Sequence, residues 1–320
     1  EAMLNLAIVV PCYNEQEALP HTLPELAAVR ERLIRAGRIS ADSRIYFVDD
    51  GSRDDTWRTI ERFVAAGEPV VGIKLSRNRG HQNALLAGLL SARGDALISV
   101  DADLQDDLGV IDTMVERYSQ GIDVVYGVRK SRATDSFFKR FTAETFYRLL
   151  TWMGVQTIHN HADYRLMSRR AIEALREYPE VNLYLRGIVP LIGFETCTVE
   201  YDRSPRVAGE TKYPFRKMLA LAVQAVTSFS IMPLRLIALM GLVVFVGSLF
   251  VSAWTLWVAL VAHRTVPGWT STVLPIYFLG GAQLLSLGVI GEYLGKIYLE
   301  AKQRPRFLVE QVIGVPTERT

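Results

Sequence analysis

LAIVVPCYNE, residues 6–15, runs five consecutive apolar residues into a proline and then into the polar loop Pro11-Cys12-Tyr13-Asn14-Glu15. A short, unbroken apolar run fits a strand covered on both faces, where no side chain meets water. The pattern recurs at 44–48, 70–75, 96–100 and 123–126, each run separated from the next by a segment of helical periodicity. Alternation of this kind predicts an α/β fold with a mostly parallel central sheet.

Each of the first four runs ends in a polar cluster: PCYNE at 11–15, DDGS at 49–52, SRNRG at 76–80 and DAD at 101–103. Ligands of an open α/β sheet sit outside the carboxyl ends of its strands, so the four clusters should share one crevice. Singly each is ordinary, since Asp-Gly-Ser is turn chemistry, Ser52 with Asp55 fits a capping box, and Asp106 or Asp107 suits a helix N-cap before Leu108. Asp101 and Asp103, two apart at a strand end, can aim both carboxylates at one hard cation. Mg²⁺ or Mn²⁺ held by one or two carboxylates and substrate phosphates is the usual arrangement in nucleotide chemistry.

The chain has 320 residues, 49% of them hydrophobic, and a formal net charge of +2. That charge, with no Lys/Arg block, argues against nucleic acid as a partner. Cys12 and Cys197 are the two cysteines, without the spacing of a zinc site or a disulfide framework, which fits a reduced setting. The start of the sequence lacks the basic and apolar segments of a secretory signal. The apolar excess is concentrated late: uncharged stretches run from Arg235 to His263 and from Arg264 to Glu292. Each is long enough to cross a hydrocarbon core of roughly 30 Å. The basic residues flanking the pair predict a two-helix transmembrane hairpin with both ends cytoplasmic, and residues 218–234 read as an interfacial helix. The expected organisation is a cytoplasmic domain over 1–205, a loop and interfacial helices over 206–234, the hairpin over 235–298 and a cytoplasmic tail over 299–320.

The motifs PCYNEQE at 11–17, VDDGSRD at 48–54, NRGHQNALLAG at 78–88, DADLQD at 101–106, ADYRLMSRRA at 162–171, GETKY at 209–213 and GEYLGKIY at 291–298 together resemble the family-2 glycosyltransferases. Within them the likeness is to polyprenyl-phosphate sugar transferases, similar to dolichyl-phosphate mannose synthases and bacterial undecaprenyl-phosphate glucosyltransferases. The resemblance implies an A-type glycosyltransferase domain. It implies that Pro11, Tyr13, Glu15 and Asp50 contact the nucleoside of a nucleotide sugar, and that Asp101, Asp103 and Gln105 form the metal and diphosphate site. Arg206 and Lys212 would close over the diphosphate, and Arg129 and Arg140 would hold the acceptor phosphate, with Lys139 an equally placed rival to Arg140. Asp163 matches the carboxylate usually proposed as general base. A phosphomonoester is already largely ionised at neutral pH, so Asp163 could instead orient Arg165 or a sugar hydroxyl. His159 and His161 have no neighbouring carboxylate or cysteine to complete a metal site.

The expected activity is inverting transfer of a hexose from a nucleoside-diphosphate sugar, UDP-glucose by resemblance, to undecaprenyl phosphate for cell-envelope glycan modification. The expected cofactor is Mg²⁺ or Mn²⁺. A homotetramer in the bacterial plasma membrane is implied by the resemblance. Two alternatives stand beside it. A processive polysaccharide synthase shares the PCYNE and DAD elements but usually carries a Gln-x-x-Arg-Trp motif, and no Arg-Trp pair occurs here. A non-catalytic membrane scaffold or flippase component would not need the intact acidic motifs.

Overall fold

The computed structural model describes residues 3–129, 161–180, 185–201, 232–260 and 268–315, with side chains at some positions inside the long helices left undescribed. The chain divides into two units, and one of them combines 1–147, 156–212 and 303–320. Its described elements are β1 (Leu6–Cys12), α1 (Leu19–Arg35), β2 (Arg44–Asp49), α2 (Thr56–Ala65), β3 (Val70–Leu75), α3 (His81–Ser91), β4 (Ala96–Ser99), α4 (Val110–Ser119), β5 (Val124–Arg129), β6 (His161–Ser168), α5 (Arg169–Arg176), α6 (Leu185–Leu191), β7 (Thr196–Tyr201) and β8 (Val309–Ile313).

The strands form one sheet in the order β7-β5-β6-β4-β1-β2-β3-β8. β1 pairs in parallel with β2 and β4, β2 with β3, and β5 with β7. β6 runs antiparallel between β4 and β5, and β8 runs antiparallel along β3. Six strands therefore point one way and two the other, which is the expected α/β fold with a mostly parallel sheet. The register follows from burial: every residue of β1 is buried, so no face is left for water. Gly88 of α3 permits close packing on the sheet, because a Cβ there would lie 2.4 Å from a Val9 methyl and 2.7 Å from one of Val48.

β6, β7 and β8 extend the sheet beyond the five runs read from sequence. Residues 309–313, assigned to a tail, are an edge strand: Ser76 N–H donates to the Leu308 carbonyl at 2.9 Å, and Lys74 pairs with Glu310 at 3.3 Å.

The second unit comprises 148–155 and 213–302 and contains α7 (Met232–Leu260, 29 residues) and α8 (Trp269–Ala301, 33 residues). Among the described residues, no helix is long and apolar enough to cross a membrane. The two transmembrane helices expected over 235–298 are thus not supported among the described residues. The described side chains of α7 include exposed Leu239, Val243, Phe250 and Trp254. The interfacial helix expected over 218–234 lies outside the described residues, apart from the first turn of α7.

Candidate active site

The carboxyl ends of β1 and β2 are joined by bonds between their loops. Asn14 N–H donates to Ser52 Oγ at 3.0 Å, Arg53 N–H to Asn14 Oδ1 at 2.9 Å, and Glu15 N–H to Thr56 Oγ1 at 2.8 Å. Asn14 takes a left-handed φ of 54°, a conformation its short polar side chain tolerates. Pro11 is buried in β1 opposite Val48, Tyr13 is exposed and Glu15 is half-buried. The expected capping box of Ser52 and Asp55 does not form. Asp54 Oδ1 instead accepts from the backbone N–H of Thr56 at 3.0 Å, while Ser52 serves the first loop.

Asp50 is buried, and its two carboxylate oxygens accept from Arg79 N–H at 2.7 Å and Gly80 N–H at 2.9 Å. Expected to read the nucleoside, it is engaged here in holding the loop after β3. Gly51, at φ 65°, lets that loop approach: a Cβ there would lie 2.6 Å from the Asn78 nitrogen.

The 101–109 loop continues β4. Its side chains alternate, with Ala102 buried and Leu104 packed on the core, while Asp103 is exposed and Asp101 partly so. Gln105 is buried, and its backbone N–H donates to Asp103 Oδ1 at 3.3 Å. Burial pushes the Asp101 carboxyl up, His81 counteracts, and Asp106, Asp163 and Asp103 push it further. Burial also raises Glu15, followed by the charges of Asp103, Asp54 and Asp101. Among the described residues no group of three or more His, Cys, Asp or Glu could hold a metal ion. Asp101 and Asp103 fit a divalent cation as an open two-carboxylate seat that substrate phosphates and water complete. Burial is the larger cause of the upward push on Asp101 and Glu15, and the smaller part, repulsion by neighbouring carboxylates, is what a cation would relieve.

Asp107 accepts from Gly109 N–H at 2.8 Å in the turn before α4, but the N-cap of that helix is Gly109 and carries no side-chain cap bond, so the expected capping by Asp107 is not seen. Nor does Asp106 cap the helix. Its carboxylate accepts from the Tyr201 hydroxyl at 2.6 Å and from Arg129 Nη2 at 3.2 Å, while Arg129 Nε donates to Tyr201 at 3.1 Å. Arg129, expected on the acceptor phosphate, is thus engaged with Asp106 and Tyr201. Burial works against its charge, but the Tyr201 bond and Asp106 outweigh that and raise its pKa.

Asp163 lies in β6 beside β4, buried at 7% exposure. It accepts from Gln82 Nε2 at 3.0 Å, Arg165 Nη2 at 3.1 Å and Arg186 Nη2 at 3.3 Å. Burial alone would raise its pKa, but Arg165 and Arg186 prevail and bring it down to about 2. A carboxylate held that low is a weak proton acceptor, which favours an orienting role over that of a base. Arg165 is itself buried, with Nε and Nη1 lacking a hydrogen-bond partner among the described residues.

His81, Gln82 and Arg186 join this centre without having been assigned roles from sequence. His81 Nε2 lies 3.6 Å from Asp101 and 3.8 Å from Asp163, placing one imidazole between the two carboxylate sites. Gln82 also accepts from Leu185 N–H at 3.1 Å, so one amide links α3, β6 and α6. The NRGHQN motif was the available signal for the first two; Arg186 had none. Arg140, Lys139, Arg206, Lys212 and His159 lie outside the described residues, as does the side chain of His161. Cys12 and Cys197 are free thiols.

Over residues 7–176 the chain matches the model of glycosyl transferase family 2. It is 50% identical over 307 residues to an uncharacterized glycosyltransferase, YkoT, of Bacillus subtilis, covering 95% of this chain and 91% of that one. It is 38% identical over 313 residues to a prophage bactoprenol glucosyl transferase homolog of Escherichia coli, covering 97% and 99% of the two chains. It is 40% identical over 311 residues to the bactoprenol glucosyl transferase of Shigella phage SfX, covering 96% and 99%. Among solved structures, glucosyl-3-phosphoglycerate synthase from Mycobacterium tuberculosis aligns at 18% identity with a TM-score of 0.45, over 71% of this chain and 79% of that one. With a family model matched over residues 7–176 and relatives this similar along nearly its whole length, the chain is a glycosyltransferase and belongs to glycosyl transferase family 2.

Proposed function

We propose that the chain transfers glucose from UDP-glucose to a polyprenyl phosphate, with inversion, at the cytoplasmic face of a bacterial membrane. The observation that carries this reading is the near full-length similarity, at 38–40% identity, to proteins named bactoprenol glucosyl transferase. The sheet-edge site supports it with an acidic seat for a nucleoside diphosphate and its cation beside a carboxylate clamped by two arginines. The bond from the anomeric carbon to the diphosphate breaks as a lipid-phosphate oxygen attacks the opposite face. Asp101 and Asp103 would hold Mg²⁺ or Mn²⁺, which supplies positive charge against the departing diphosphate. Pro11, Tyr13, Glu15 and Asp50 line the nucleoside side, with Gln105, Arg206 and Lys212 assigned to the diphosphate. Asp163 fixes Arg165 and Arg186, and so orients the reacting groups without taking a proton. Arg140 is the proposed contact to the acceptor phosphate, since Arg129 is already engaged.

The membrane part of the proposal rests on sequence. Two uncharged stretches of about 27 residues, 236–262 and 265–291, would form a hairpin in the plasma membrane, within a homotetramer. The test is incubation of the purified protein with undecaprenyl phosphate and a panel of nucleotide sugars, followed by mass spectrometry of the lipid. Glucosylated undecaprenyl phosphate formed from UDP-glucose is expected. Transfer of another sugar, or none to lipid phosphate, rejects the reading.

A further inference from the structure

The loop that presents Asp101 and Asp103 has an unusual backbone. Leu104, between Asp103 and Gln105, sits at φ 47°, a left-handed conformation that a branched apolar side chain rarely adopts. Such a conformation persists only where the surroundings over-determine it. Three anchors do so. The Thr22 hydroxyl donates to the Ala102 carbonyl at 2.7 Å, and the Tyr164 hydroxyl donates to the Asp107 carbonyl at 2.9 Å. Between them Asp106, 4% exposed, takes the Tyr201 hydroxyl at 2.6 Å and Arg129 at 3.2 Å. Tyr201 is buried and held edge-on against Tyr164, with ring centroids 5.3 Å apart, so its hydroxyl has little freedom to leave Asp106. The anchors come from α1, β5, β6 and β7, four elements converging on nine residues.

We propose that Tyr201 and Asp106 are positioning residues: with Arg129 they hold the 101–109 loop in the conformation that turns Asp101 and Asp103 outward together, and so set how tightly a divalent cation is held with a nucleoside diphosphate. Both are buried, Asp106 at 4% and Tyr201 at 2% exposure. Their role rests on the metal assignment made under the proposed function. It also gives Arg129 a task distinct from the acceptor phosphate, because its guanidinium completes the closed set of three bonds with Asp106 and Tyr201.

The test uses full-length protein and Mn²⁺ with UDP, with bound and free Mn²⁺ distinguished by electron paramagnetic resonance. Tyr201→Phe keeps the ring and its packing but removes the hydroxyl. Asp106→Asn keeps the shape but sets an amide against Arg129. Loss of one charge-assisted bond corresponds to roughly a tenfold change in an equilibrium constant. Each variant is therefore expected to bind Mn²⁺ roughly tenfold more weakly in the presence of UDP. The KM for undecaprenyl phosphate should stay at its wild-type value, and hydrogen exchange should rise across the 101–109 peptide. Wild-type Mn²⁺ affinity in both variants overturns the proposal, as does an effect confined to the KM of the lipid acceptor. A wild-type protein that binds no Mn²⁺ with UDP overturns the metal assignment itself and this proposal with it. A variant that unfolds is identified by its melting curve, and the other variant then decides.

Discussion

The end of β4 and the start of β6 each present a carboxylate to His81, Asp101 at 3.6 Å and Asp163 at 3.8 Å, yet the two are treated in opposite ways. Asp101 stands among other acids, and burial together with the charges of Asp106, Asp163 and Asp103 pushes its pKa up. Asp163 is the more buried, but Arg165 and Arg186 bring it down to about 2. A carboxylate crowded by its own kind gains from a cation supplied from outside. One already paired with two guanidinium groups needs none and is fixed as an anion. The fold therefore separates, across a single imidazole, the proposed place for a metal from a rigid internal counter-charge.

The largest effect that would sharpen this contrast is expected on the β4 side. Asp103→Asn removes half of the two-carboxylate seat, and loss of several kcal/mol of charge stabilisation corresponds to roughly a thousandfold fall in turnover. The melting temperature should barely change, because Asp103 is exposed. Turnover measured against Mn²⁺ concentration decides it, and a wild-type curve would remove the metal from this site.

On the β6 side a smaller loss is expected. Asp163→Asn disturbs the orientation of Arg165 and Arg186, and misplacement of that kind costs about a hundredfold. With Asp163 at about 2, the acid limb of the rate profile belongs to the acceptor phosphate, near pH 6, and should persist in the variant. Single-turnover profiles of both proteins test this. Complete loss of transfer at every pH, with both substrates still bound, would make Asp163 the base and break the contrast.

The smallest effect is on stability. A carboxyl lowered from an ordinary value near 4 to about 2 stabilises the folded state above pH 4 and loses that contribution as pH falls toward 2. The difference is about 2 kcal/mol, lost between about pH 4 and pH 2. Denaturant unfolding at pH 5 and pH 2.5 should show it in the wild type and not in Asp163→Asn.

How much of this was legible in the sequence depended on how locally each feature is encoded. β1 to β5 are apolar runs that announce themselves, and the four clusters at the carboxyl ends were found because strand direction alone puts them at one edge. β6 was quoted only as a motif, since His161-Ala-Asp-Tyr-Arg-Leu-Met-Ser carries a buried aspartate and a buried arginine, and buried charge does not read as strand. β7 alternates without a continuous apolar run, and the five-residue β8 pairs with residues more than two hundred positions earlier. The roles of His81, Gln82 and Arg186 exist only where α3, β6 and α6 meet. Asp106 looked like a helix cap because its partner Tyr201 is far along the chain.

The return of residues 309–313 to the free side of β3 has a consequence for biosynthesis. α7 and α8 lie between β7 and β8 in the chain, so the helical unit is an excursion from a sheet that is still unfinished when it is made. While the ribosome works through those residues, β3 presents a row of unpaired N–H and C=O groups, a template for any neighbouring strand. The sheet closes only after Ile313 has emerged. Order of synthesis thus leaves the sheet unit with an open flank throughout production of the most apolar part of the polypeptide, and a nascent chain stalled within α8 would expose both at once.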